Sequence, residues 1–180
     1  HRAHGVGPGA DHEHGDGDAA GEVVAPAPHH RAAEGAAAKE DAEDAQQRLV
    51  QVVAERLPAN GFDARRDVQV LTPMHAGPLG TAALNEVLQA RLNPDGAELK
   101  SGRRRFRLGD RVLQTKNDYD TDVFNGDVGR IVEVHPAAIA VDFDGRIITI
   151  GIDAIDQLEL AYAISIHKSQ GSEYPAVVVA

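Results

Sequence analysis

Fourteen residues near the carboxyl end, Tyr162 to Pro175, hold the densest set of reactive groups in this 180-residue chain. Tyr162-Ala163-Ile164-Ser165-Ile166 reads as the end of a buried strand. His167-Lys168-Ser169-Gln170-Gly171-Ser172-Glu173-Tyr174-Pro175 reads as a polar turn, and Ala176-Val177-Val178-Val179 as a second buried strand. In open α/β sheets, ligands gather at the carboxyl ends of strands. The hydroxyls of Ser165 and Ser169, the imidazole of His167, the ammonium of Lys168 and the amides beside Gly171 suit anionic oxygens such as phosphates. Glu173 suits a sugar hydroxyl. A capped surface turn uses the same residue types, so spacing alone leaves the two readings level.

A second chemical feature is a basic stripe. Lys100, Arg103, Arg104, Arg105, Arg107, Arg111 and Lys116 face only Asp110 within their own window, a local net charge of +6. The whole chain carries −10, which excludes a uniformly basic nucleic-acid coat but not a stripe that neutralises phosphates locally. A solvated loop is the plainer reading of the same run. Among the aromatics, Phe106 and Phe124 sit beside alternating Val and Leu and are expected in a core. Tyr119, within Asn117-Asp118-Tyr119-Asp120, is equally suited to a core and to base stacking.

The elements that must position these groups follow from periodicity. Leu49, Val52, Val53 and Leu57 recur at helical spacing, so a helix is expected over 43–57, stopped by Pro58 and Asn60-Gly61. Val68–Leu71 reads as a buried strand, residues 72–80 as a loop, and Thr81–Leu92 as a second helix ended by Asn93-Pro94-Asp95-Gly96. That rhythm is α/β with a parallel sheet. After residue 100 the pattern turns to β: Arg111–Thr115, Val128–His135, Ile139–Phe143 and Arg146–Ile150, with hairpin signals at Asn125-Gly126 and Asp144-Gly145. Such closely spaced strands predict a small barrel. Leu158–Ile166 then reads as one strand leading back into the α/β part.

Residues 1–44 differ from the rest. Gly, Ala and Pro dominate, large apolar side chains are nearly missing, and six histidines (His1, His4, His12, His14, His29, His30) are scattered among acids. Such a stretch cannot offset its ordering entropy by burial and is expected to be a disordered acidic segment. Its histidine spacing fixes no coordination geometry, so no metal site is assigned. No cysteine occurs, which removes disulfides and thiolate metal sites. No apolar run approaches the length of a membrane helix, and no leader pattern is recognisable. His1 in place of Met and the apolar run at Ala180 point to a piece of a longer protein.

Three segments in order carry a family resemblance over roughly residues 45–180. His167-Lys168-Ser169-Gln170-Gly171-Ser172-Glu173-Tyr174-Pro175 resembles motif V of superfamily 1 DNA helicases of the RecD-like branch. Val70-Leu71-Thr72-Pro73-Met74, Gly77-Pro78-Leu79-Gly80, and Leu84-Asn85 with Leu88-Gln89 resemble its motif IV region. Phe106 to Tyr119 with Val123-Phe124-Asn125-Gly126-Asp127-Val128-Gly129 resembles the entry into its inserted SH3-like barrel. The resemblance implies an α/β fold: part of a RecA-like P-loop-type second motor domain over 45–105, an inserted SH3-like β-barrel over 106–160, and a return to the motor domain over 161–180.

By the same resemblance the parent is a cytoplasmic ATP-dependent helicase moving 5′ to 3′ on single-stranded DNA, in recombination and repair. ATP and Mg²⁺ would be its cofactors. Its partners would be single-stranded DNA, the first RecA-like motor domain of the same protein, and a recombination nuclease complex. DNA contacts are implied for Ser165, His167, Lys168, Ser169, Gln170, Arg103, Arg105, Gln114, Asn117 and Asn125. Gly171 and Glu173 would approach the nucleotide. Asn85 and Gln89, one helical turn apart, are assigned to the interdomain or DNA surface. Where relatives often carry a basic residue, this chain has Ala76, which removes a phosphate contact there. No G-x-x-x-x-G-K-[ST] occurs, so the phosphate cradle of a P-loop is missing, and the chain alone is expected to be catalytically incomplete. The competing class is a non-enzymatic SH3-like module binding nucleic acid or protein.

Overall fold

A computed structural model describes residues 28–180, with side chains from residue 38 onward. The first helix, α1 (Pro28–Gln51), runs into a π-helical turn (Val52–Arg56) and a last turn, α2 (Leu57–Ala59). The expected disorder thus gives way to helix over 28–44; positions 1–27 of that segment lie outside the described residues. The physical reason is the alanine-rich run from Ala32 to Ala42, because alanine has the highest intrinsic helix propensity.

Strand β1 (Val68–Thr72) follows, then α3 (Thr81–Leu92), on the expected bounds. Gly80, the N-cap of α3, has no room for a side chain: a Cβ there would stand 2.7 Å from the Ala76 backbone. A hairpin that periodicity missed comes next, β2 (Glu98–Ser101) and β3 (Arg104–Arg107), paired antiparallel. Then come β4 (Arg111–Gln114), β5 (Val128–His135), β6 (Ala138–Phe143), β7 (Arg146–Gly151) and β8 (Leu158–Leu160). The chain closes with β9 (Ala163–Ser165), a 3₁₀ turn (Ile166–Ser169) and β10 (Ala176–Val179).

Two larger sheets result. The parallel one has the order β10-β1-β9, and the antiparallel one β7-β6-β5-β4-β8. Among the described residues no pairing joins β7 to β8, so the strands expected as a barrel form an open five-stranded sheet. The run expected as one strand, Leu158–Ile166, is two: β8 pairs with β4 and β9 pairs with β1, in different sheets. The break falls at Ala161-Tyr162. There the Gln69 side-chain amide donates to both carbonyls, at 3.2 Å and 3.1 Å, and the Tyr162 carbonyl also accepts the Val70 amide of β1 at 3.2 Å.

Each of the two larger sheets has its own apolar core. Leu49 and Val53 of the first helical run pack with Leu84 and Leu88 of α3 against Val68, Val70 and Ala163. Val112, Ile131, Val141, Phe143, Ile150 and Leu158 fill the antiparallel core. Leu99 and Phe106 of the hairpin join that core, so the boundary expected at 105/106 falls inside β3. A small third cluster, Leu113, Ala161 and Ile164 with Leu71, Val128 and Tyr174, lies where the two sheets meet.

Candidate nucleic-acid interface

The parallel register pairs Thr72 with Ser165, so β1 and β9 end side by side. Their carboxyl ends open onto a groove of about 620 Å³ that also takes in α3, the β2–β3 hairpin and β8. Arg103, Arg104, Arg105 and Lys168 line it with His75 and Thr81, opposed by the carboxylates of Glu86 and Glu159. Cations outnumber carboxylates two to one, which favours an anionic ligand.

The three arginines do different things. Arg104 Nη1 donates to the carbonyl oxygen of Leu158 at 3.1 Å and of Asp156 at 3.4 Å, bracing the hairpin on β8. Arg103 and Arg105 are exposed along the groove. Lys168 pairs with Glu159 across the groove at 3.5 Å.

Ser165 caps the 3₁₀ turn, its Oγ accepting from the Lys168 amide at 3.4 Å, and is only 6 % exposed. Ser169 donates its hydroxyl inward to the Ile166 carbonyl at 2.7 Å, so in this arrangement it offers an outside ligand lone pairs rather than a proton. His167, Gln170, Gly171 and Glu173 are exposed on the turn beyond the groove lining. Gly171 has φ +82°, a conformation that favours glycine there.

Other expected site residues are placed elsewhere. Gln114 is 1 % exposed, on a strand buried along its whole length, and has no surface to offer DNA. Asn117 and Asn125 hold each other: the Asn125 amide donates to Asn117 Oδ1 at 2.9 Å, and Asn117 Nδ2 donates to the Tyr119 hydroxyl at 3.2 Å. Asn85 and Gln89 do face one side of α3 and belong to the groove wall, but they are nearly buried and their amides are taken up by the fold. Asn85 clamps Ala163, donating to its carbonyl at 2.8 Å and accepting its amide at 2.9 Å. Gln89 Nε2 donates to the Arg105 carbonyl at 2.8 Å and to Asp110 Oδ2 at 2.6 Å. Both amides serve the fold because they bridge elements whose backbone groups lack a ladder partner.

Phe106 is fully buried as expected. Phe124 is not core: it is 38 % exposed and meets Tyr119, 78 % exposed, edge to face at 5.9 Å. The intervening Asp118–Val123 bridge turns the loop outward before the apolar alternation can place Phe124 inside.

Sequence reasoning missed His75, Thr81, Glu86 and Glu159. His75 was recoverable, since it follows β1 as the polar turn follows β9. The other three reach the groove only through packing of α3 and β8.

Beneath the groove, Arg111 donates from Nη1 to the Val68 carbonyl and from Nη2 to Gln69 Oε1, both at 2.8 Å, and stacks over Tyr174. Burial pushes its pKa down, opposed by Tyr174, yet a guanidinium stays charged. Burial, then the neighbouring Asp110 carboxylate, push the Tyr162 phenol well above its ordinary range. Among the described residues no group of three or more His, Asp or Glu converges to hold a metal ion. No helix there is long and apolar enough to cross a membrane.

Residues 84–143 match the family model of the ATP-dependent RecD-like DNA helicase SH3 domain, and residues 160–180 that of the UvrD-like helicase C-terminal domain. The first of these segments is thus similar to the RecD-like helicase SH3 domain and the second to the UvrD-like helicase C-terminal domain.

The chain is 43 % identical over 111 residues to the ATP-dependent RecD2 DNA helicase of Deinococcus radiodurans, covering 62 % of this chain and 16 % of that protein. It is 32 % identical over 111 residues to the RecBCD enzyme subunit RecD of Mycolicibacterium smegmatis, covering 62 % and 19 %. The chain thus spans less than a fifth of the curated relatives it matches. A solved structure of two coordinating Pif1 helicases on forked DNA shares 20 % identity with a TM-score of 0.49, covering 73 % of this chain and 35 % of that one.

Proposed function

We propose that this chain is part of an ATP-dependent DNA helicase that moves 5′ to 3′ along single-stranded DNA, and that the groove holds the strand. The carrying observation is the meeting of Arg103 and Arg105 with Ser165 and Lys168, two sequence segments drawn from different sheets. The hairpin arginines neutralise phosphates, Lys168 exchanges Glu159 for a phosphate oxygen, and the exposed His167 and Gln170 line the strand's path. Asn117 and Asn125 act indirectly by fixing the neighbouring loop. The parallel sheet with its helices acts as part of the motor half, and β2 to β8 as the SH3-like module.

Glu173 and Gly171 approach the ribose side of ATP held jointly with a first RecA-like domain. ATP supplies the driving force through phosphoryl transfer, whose phosphate- and Mg²⁺-holding groups are assigned to that other domain. Among the described residues of this chain no carboxylate or histidine cluster converges that could hold Mg²⁺. The intact protein would work in the cytoplasm, in recombination and repair, in company with a nuclease complex.

The test is fluorescence anisotropy of the chain with an oligo-dT strand across a salt series, beside an ssDNA-stimulated ATPase assay. Salt-sensitive binding without ATP turnover is the expected outcome. Absence of binding at low salt, or turnover by the chain alone, overturns the reading. The Tyr119–Phe124 pair among Asp118, Asp120 and Asp122 is one observation that favours the alternative, a protein-binding module, since that loop repels phosphate.

A further inference from the structure

The far end of the polar turn is held from across the chain. Tyr174 packs against the cluster of Leu113 from the antiparallel sheet, Ile164 from the parallel one and Ala161 between them, which Leu71 and Val128 also flank. Over Tyr174 stands the Arg111 guanidinium, 5.8 Å from the ring centroid. Arg111 has no freedom to wander, because its two 2.8 Å bonds tie it to Val68 and Gln69 at the start of β1. Gln69, fully buried, donates in turn to the carbonyls of Val70, Ala161 and Tyr162. A planar fork fixed on two sides loses little further entropy when an aromatic face docks on it, and the cation–aromatic attraction is strongest where water is excluded.

By contrast residues 170–173 have few fasteners of their own, since the firm bond of the turn, from the Ser169 hydroxyl to the Ile166 carbonyl at 2.7 Å, lies before them. The Lys168 amide reaches Ser165 Oγ at 3.4 Å and the Gln170 amide reaches the His167 carbonyl at 3.4 Å, both near the limit for a hydrogen bond. Ser172 to Ser169, at 3.1 Å, is the closest of the three. Residues 170–173 therefore depend on their ends, the 3₁₀ turn closed by Ser169 on one side and, on the other, Tyr174 under Arg111 leading into β10 at Ala176.

We infer that Arg111, a residue of the antiparallel sheet, is the positioning residue of the polar turn, holding Tyr174 and through it Glu173. Its consequence for ligand binding rests on the helicase reading; the anchoring does not. Displacement of the turn and displacement of β4 are thereby linked, since one side chain fastens both.

The test is ¹⁵N relaxation of the whole chain, comparing Arg111→Gln, Tyr174→Leu and Tyr174→Phe with the unaltered protein. Order parameters at residues 168–173 should fall from about 0.85 toward 0.6 or below in Arg111→Gln and Tyr174→Leu. Those of β5 and β6, in the other core, should hold. Tyr174→Phe keeps the ring and should behave like the unaltered chain. If Arg111→Gln fails to fold, the Leu and Phe pair at 174 decides alone. A turn that stays rigid without the cation–ring contact, or mobility rising equally in β5 and β6, overturns the inference. Failure of oligo-dT to bind the unaltered chain counts against the helicase reading only, because the order parameters are read without DNA.

Discussion

The Tyr162 hydroxyl donates a 2.7 Å hydrogen bond to the Asp110 carboxylate, joining the residue that enters β9 to the one that precedes β4. Asp110 is fully buried and accepts three more bonds, from Asn93 Nδ2 and Gln89 Nε2 at 2.6 Å and from the Arg107 amide at 2.7 Å. Four donors from α3, β3 and the sheet junction converge on one carboxylate, which stands as the polar joint between the two sheets. Asp110→Asn would set an amide group against two of those donors. A loss of about 3 kcal/mol is expected, from two broken charge-assisted bonds, read as a lowered urea midpoint.

Tyr162 carries a pH prediction. Its phenol is held protonated by burial and by Asp110, whereas the unfolded chain releases that proton above about pH 10. Above that pH the folded state binds more protons, so stability falls as pH rises, by up to about 1.4 kcal/mol per unit. Below it the contribution is complete and flat. Tyr162→Phe should start less stable at pH 8 and lose less between pH 10 and 11, so that the two urea-unfolding curves converge.

The arginine triplet should separate by role. Neutralising Arg103 and Arg105 together, as Gln, should flatten the dependence of log affinity on log salt by about 0.7 per lost phosphate contact on a single strand. The melting temperature should stay put. Arg104→Ala should instead lower stability by about 1 kcal/mol, because its guanidinium braces the Leu158 and Asp156 carbonyls. An unchanged salt slope in the double variant would remove the hairpin from the DNA path.

The two phenylalanines offer a calibration of the cores. Phe106, fully buried with Leu99 in the antiparallel core, should cost about 3–5 kcal/mol on truncation to Ala. Phe124, more than a third exposed and touching Tyr119, should cost less than about 1 kcal/mol. Chemical denaturation of both variants checks the pair.

What the sequence determined by itself is the local part. Helix α3, strands β1, β5 and β10, and the polar turn follow from apolar spacing, glycine and proline punctuation, and β-branched runs, all of which act within a few residues. The RecD-like motifs were likewise readable as strings. Tertiary structure decided what needed a distant partner. Leu158–Ile166 reads as one strand because Leu158, Leu160, Tyr162, Ile164 and Ile166 alternate with small or polar residues; Gln69, some ninety positions earlier, bonds the carbonyls at the point where it divides between sheets. Asn85 and Gln89 look like surface amides on a helix until β9 and Asp110 arrive to take their hydrogen bonds. The alternation around Phe124 predicts burial, yet the Asp118–Val123 bridge turns it out. Local periodicity reports which face a residue would share with its neighbours, but only packing settles what that face meets.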